Sequence, residues 1–127
     1  MSIVGIGIDI ISIKRIQRIA YKKFGEKLSR RILSKNELKE YKKNTNPVLF
    51  LAKRFSVKEA ASKALGIGIR NGIKFNNFEL YHDNLGKPYL KMLKQAKKAS
   101  TKLNISLIHV SLSDEKSYIT SVVVIEK

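Results

Sequence analysis

The stretch Pro47 to Leu65 constrains this chain most, because it runs without glycine and carries proline only at its first position. Asn46-Pro47 reads as an N-cap followed by the first helical residue, and Gly66 reads as the stop. Val48, Leu51, Ala52 and Phe55, then Val57, Ala60, Ala61, Ala64 and Leu65, follow helical spacing. One long helix is therefore the expected packing centre. Glu59 and Lys63 are four residues apart and share a face. An acid and a base so placed can serve a phosphate group, or they can be a plain solvated pair. Ser56-x-x-Glu59 also fits a capping box that would open a new helix there.

Before this helix, Ile3 to Ile10 alternates as a strand does. Val4, Ile6, Ile8 and Ile10 point one way, and Ile3, Gly5, Gly7 and Asp9 the other. Two glycines beside an acid remove bulk from that face, so a ligand or another backbone can approach. The plain alternative is a tight packing contact with Asp9 ending the strand. Ser12 is expected to cap a helix over Ile13 to Phe24, closed by Gly25, with Ile13, Ile16, Ala20 and Phe24 inward. Arg15, Arg18 and Lys22 line its outer face, with Lys14 and Lys23 beside them and no acid. Leu28 to Leu33 reads as a short helix or turn, and Ser34-x-x-Glu37 as a capping box opening a helix to about Lys43.

After the long helix, Gly66-Ile67-Gly68 and Asn71-Gly72 make a loop whose N–H groups can approach a phosphate. The loop follows a helix instead of preceding one, so it is not a P-loop. Phe75 to His82 and Pro88 to Met92 read as a hairpin around Asp83 to Lys87. Leu93 to Leu103 reads as a helix with Leu93, Ala96, Ala99 or Ser100, and Leu103 inward. Ile105 to Leu112 and Tyr118 to Ile125 form a second hairpin. Val122-Val123-Val124-Ile125 is apolar on both faces, so that strand is central or buried at an interface. The order of elements predicts an α+β domain, an antiparallel sheet packed by helices, over residues 1–127.

Charge narrows the partners. Lys plus Arg is 26 and Asp plus Glu is 10, a net +16. That predicts a polyanionic partner: nucleic acid, an anionic membrane or an acidic protein. The one-signed face of Arg15, Arg18, Lys22 and Lys23 is the expected docking surface, since a merely solvated face mixes signs. No cysteine is present, which excludes disulfides and thiolate chemistry. No apolar run reaches the ~20 residues of a membrane span, and the start lacks a signal-peptide pattern. A cytoplasmic setting is expected.

Phe55-Ser56-Val57-Lys58-Glu59-Ala60-Ala61-Ser62-Lys63-Ala64-Leu65-Gly66 resembles the signature helix of the 4′-phosphopantetheinyl transferases. Gly5-Ile6-Gly7-Ile8-Asp9-Ile10 and His109-Val110-Ser111-Leu112-Ser113 fit the same family, in the same order. The resemblance implies transfer of 4′-phosphopantetheine from coenzyme A to a serine of an acyl carrier protein, in the service of fatty acid biosynthesis. It implies Mg²⁺ on Asp9 and Glu59, with Lys63 meeting the pyrophosphate. A metal-bound water, or Glu59 through water, would take the serine proton. Coenzyme A contacts are implied at Lys63, Arg54, Gly66, Asn84, Gly86, Pro88, His109 and Ser111. It further implies a homotrimer, in which Arg54, Asn84, Pro88 and His109 come from the neighbour of the chain supplying Asp9 and Glu59. Ser113-Asp114 departs from the family, where many relatives carry another Thr or His.

Two other readings compete. A nucleic-acid module fits the charge but predicts exposed aromatics interleaved with basic residues. The Phe and Tyr residues are instead scattered at core-like positions, so nucleic acid is not the expected partner. Against a structural oligomer without chemistry stands only the role that the family resemblance implies for Asp9, Glu59 and Lys63. His109 and His82, on strands, have a plain reading as packed residues.

Overall fold

The computed structural model describes residues 1–21 and 25–127. In chain order it contains β1 (Ile3–Ser12), α1 (Ile13–Ala20), α2 (Gly25–Ile32), α3 (Lys35–Lys43), α4 (Pro47–Ala64), a 3-10 turn (Phe75–Asn77), β2 (Phe78–His82), β3 (Pro88–Met92), α5 (Lys94–Lys102), β4 (Leu107–Asp114) and β5 (Tyr118–Glu126). β1, β5 and β4 form an antiparallel sheet in that order, and β2 pairs with β3 in a second one. β5 is thus the central strand, as its two apolar faces require.

α4 is the packing centre. Asn46 Oδ1 accepts from Leu49 N at 3.3 Å, which caps the first turn, and Gly66 adopts φ +81° beyond the last. Val57, Ala60, Ala61 and Ala64 join Phe78, Leu80, Val123 and Ile125 in one core. Phe50, Leu51 and Ala52 join Ile11, Ile16, Ile32, Leu33 and Ile119 in another. Ser56 lies in mid-helix and its Oγ meets Ser121 Oγ of β5 at 2.7 Å, so no new helix opens there.

The glycines of β1 set how close α4 can come. A Cβ on Gly7 would stand 1.7 Å from Ala60 O, and one on Gly5 1.9 Å from Ala64 O. The helix backbone therefore rests directly on the strand, and the tight packing contact is real. The opposite row of β1 is open: Ile6, Ile8 and Ile10 are each more than 60% exposed. Ile6 aligns with Val124 and His109, and Ile8 with Val122 and Ser111, so a broad apolar sheet face is left uncovered within one chain.

Polar groups tie α4 to α3 and β2. The Ser34 capping box is present, with Glu37 N donating to Ser34 Oγ at 3.3 Å and Ser34 N to Glu37 Oε1 at 2.9 Å. Glu37, 1% exposed, also accepts from Leu80 N at 3.0 Å and from Lys58 Nζ. Arg54 Nε lies 3.5 Å from the same carboxylate. Paired and hydrogen-bonded on this scale, a buried charge is tolerated.

Several boundaries differ from the sequence reading. The first helix ends at Ala20, not Phe24, and Gly25 opens α2. Tyr21 caps it with an N–H to Gln17 O and is 77% exposed, so the buried stripe has ended. Lys22, Lys23 and Phe24 lie outside the described residues. Phe75 belongs to a 3-10 turn, because Asn77 Oδ1 accepts from Lys74 N at 3.2 Å and closes it. Leu93 is the N-cap of α5, and Leu103 lies beyond its end and is exposed. β4 begins at Leu107, since Ile105 N is drawn back to Ser100 O at 3.0 Å.

Candidate active site

β1 and α4 bring three predicted residues together. Alternation along β1 turns Asp9 to the same side as Gly5 and Gly7, towards α4. Glu59 and Lys63 stand one turn apart on the helix. Lys63 Nζ donates to Ile8 O at 2.9 Å and lies 3.3 Å from Asp9 Oδ1. Asp9 Oδ2 is buried and has no hydrogen-bond partner among the described residues. Partial burial raises the Glu59 carboxyl above its ordinary value, and the Asp9 charge raises it further. Lys63 and Arg15 pull the other way.

This donor set suits a hard divalent cation. Asp9 has an orphaned buried oxygen, and its charge acts on the Glu59 carboxyl. Among the described residues no third His, Cys, Asp or Glu completes a cage. Mg²⁺ characteristically takes one or two carboxylates and completes its shell with waters and substrate phosphates. The residues present therefore fit Mg²⁺, and the half-exposed Lys63 ammonium lies beside Asp9.

The sequence pattern of the 4′-phosphopantetheinyl transferase superfamily matches residues 5–123. The chain belongs to this superfamily. It is 59% identical over 127 residues to the holo-[acyl-carrier-protein] synthase of Buchnera aphidicola subsp. Schizaphis graminum, covering 100% of both chains. It superposes on the crystal structure of the Neisseria meningitidis holo-[acyl-carrier-protein] synthase with a TM-score of 0.93 at 44% identity, covering 99% of this chain and 100% of that one. The Helicobacter pylori synthase in complex with coenzyme A gives a TM-score of 0.82 at 31% identity, over 95% of this chain and 99% of that one.

In this phosphopantetheinyl transferase the other expected residues fall into separate groups. Gly66 follows Lys63 closely, and its N–H donates to Lys63 O at 3.0 Å. Asn84, Gly86 and Pro88 lie at the β2–β3 turn, where Asp83 Oδ1 accepts from Leu85 N and Lys87 N at 2.9 Å each. Arg54 is buried, stacked 3.5 Å over the Phe50 ring, with Glu40 at 3.6 Å. Burial, then the Arg54 charge, pushes His82 down. His109 and Ser111 project from the open face of the sheet, opposite to Asp9, and His109 Nε2 meets Glu126 Oε2 at 2.8 Å. Arg54 shares a cavity with His82, the register partner of Pro88, so it lies near the β2–β3 turn.

Two features escape sequence reading. Arg15 acts electrostatically on Glu59, so the basic face of α1 borders the site. Proximity of Ser12 to Asp9 in sequence was the available signal. Lys58, beside Glu59, is fully buried against Glu37, and only the capping box singled Glu37 out.

Proposed function

We propose that this protein transfers 4′-phosphopantetheine from coenzyme A to a serine of apo acyl carrier protein, releasing adenosine 3′,5′-bisphosphate. The observation that carries this reading is the Asp9–Lys63 contact one helical turn from Glu59, with an Asp9 oxygen left unpaired. Asp9 and Glu59 would hold Mg²⁺. When bound, Mg²⁺ supplies neutralisation of charge on the pyrophosphate. Lys63 offers its ammonium to the same charge, which grows as the bond breaks. The serine oxygen bonds to the phosphorus carrying pantetheine, and the bond from that phosphorus to the bridging oxygen breaks. Glu59, acting through water, would take the serine proton. Positioning supplies much of the rate in such transfers.

The acidic carrier docks on the basic face of α1 that carries Arg15 and Arg18, with Lys22 and Lys23 following in sequence outside the described residues. The assembly is a homotrimer. The uncovered apolar face of β1, β5 and β4 supports it, since a monomer rarely leaves such a patch exposed. Association there would let Arg54, Asn84, Pro88 and His109 come from the neighbour of the chain supplying Asp9 and Glu59. The setting is the cytoplasm and the product serves fatty acid biosynthesis. The test is to incubate the protein with coenzyme A, Mg²⁺ and apo carrier, then weigh the carrier. Gain of one phosphopantetheine mass is expected, and an unchanged mass overturns the reading.

A further inference from the structure

Glu59 is useful only if α4 is fixed in rotation, because each residue advances the helix by about 100°. Lys58 and Arg54 are one turn apart and face α3, while Ser56, Glu59 and Lys63 lie on the side towards β1 and β5. Backbone contacts of Ala60 and Ala64 on Gly7 and Gly5 fix the separation of helix and strand. Polar contacts add a hold on the azimuth. Lys58 Nζ, on a side chain with no exposed surface, donates to Ile32 O at 2.6 Å and to Glu37 Oε1. Glu37 is in turn held by Ser34 N at 2.9 Å and Leu80 N at 3.0 Å, so it cannot follow the helix. On the far side Ser56 Oγ meets Ser121 Oγ at 2.7 Å, and Ser121 is the register partner of Asp9.

We infer that Glu37, acting through Lys58, is a positioning residue that sets the Glu59 carboxylate against Asp9. The pair touches no substrate. It locks the rotation of α4, and Glu59, the next residue, takes its direction from that lock. Outer groups that orient metal-binding carboxylates shape affinity as the ligands themselves do. This inference rests on the proposed role of Asp9 and Glu59.

The test uses full-length Lys58→Met and the double variant Glu37→Gln/Lys58→Met. The double variant leaves no unpaired charge at Glu37 or Lys58, and Arg54 keeps Glu40 at 3.6 Å, so it is the safer fold. Circular dichroism checks folding, calorimetry measures Mg²⁺ binding, and steady-state kinetics separates kcat from the KM for coenzyme A. We expect Mg²⁺ affinity to fall about 10- to 100-fold in both variants. The kcat should fall with it, and the KM for coenzyme A should stay near that of the parent. Folded variants with parental Mg²⁺ affinity and kcat overturn the inference. Failure of both variants to fold also overturns it, because the pair would then serve the fold alone. Glu59→Gln is the control. If it too works normally, the proposed chemistry fails; if only the Lys58 variants work normally, the positioning role alone fails.

Discussion

Lys63 Nζ lies 3.3 Å from Asp9 Oδ1 and donates at 2.9 Å to the carbonyl of Ile8, the residue before Asp9. One ammonium thus clips α4 to β1 beside Asp9, one helical turn from Glu59. The side chain is 53% exposed, so solvent screens the ion pair and the clip contributes little to stability. Its value lies in where it holds positive charge.

Lys63→Ala is therefore expected to separate binding from turnover. Removing a cation beside Asp9 leaves Mg²⁺ affinity unchanged or stronger. Removing charge that meets the pyrophosphate lowers kcat by about 10²-fold. Calorimetry and steady-state kinetics on the same preparation check both parts.

Glu59 gives a pH dependence with a defined sign. Burial, then Asp9, raises its carboxyl, so the folded chain holds that proton more tightly than the unfolded chain. Its contribution to stability is present below the unfolded value and is lost as pH rises through the folded one. Metal binding requires the ionised form. Mg²⁺ affinity should fall as pH drops through the raised value, with proton release on binding in that window. Calorimetry in buffers of different ionisation enthalpy measures the released proton. Asp9→Asn should move the Glu59 titration, followed by carboxyl NMR, to lower pH.

Gly7→Ala tests the close approach of strand and helix. Its Cβ would stand 1.7 Å from a backbone oxygen of α4, which has no side-chain freedom to yield. Overpacking of this kind costs about 1–3 kcal/mol. A lower Tm is expected in thermal unfolding, together with weaker Mg²⁺ binding as Glu59 moves away from Asp9.

Local signals were legible, and tertiary ones were not. The span of α4 could be read from Asn46, Pro47 and Gly66, and the start of α3 from Ser34 and Glu37, because caps are set by adjacent residues. The alternation of β1 was readable, but its inward face was not decided by hydropathy. The isoleucine row looks like core yet is exposed, since α4 can approach only over glycine. The Glu37 cluster draws on Ser34, Leu80, Arg54 and Lys58, which no local window connects. Asp9, Glu59 and Lys63 were nameable through resemblance, and their meeting depended on the packing of α4 against β1.

The basic face of α1 predicts a partner-specific kinetic effect. Arg15→Glu should raise the KM for carrier protein and leave that for coenzyme A nearly unchanged. Arg15 also acts on Glu59, so Arg18→Glu is the cleaner companion. Added salt should weaken carrier binding to the parent more than to either variant, as exposed charges are screened within a Debye length of about 8 Å. An unchanged carrier KM in both folded variants would move docking to another face.

The central claim is that Asp9 and Glu59 carry the transfer, and one measurement bears on it most directly. Parent, Asp9→Ala and Glu59→Ala proteins, matched by circular dichroism, are each incubated with coenzyme A, Mg²⁺ and apo carrier. The intact mass of the carrier and the release of adenosine 3′,5′-bisphosphate are followed together. The account predicts both products in equal amount from the parent, and neither from the two variants. Transfer at the parental rate by a folded Glu59→Ala or Asp9→Ala protein would contradict it.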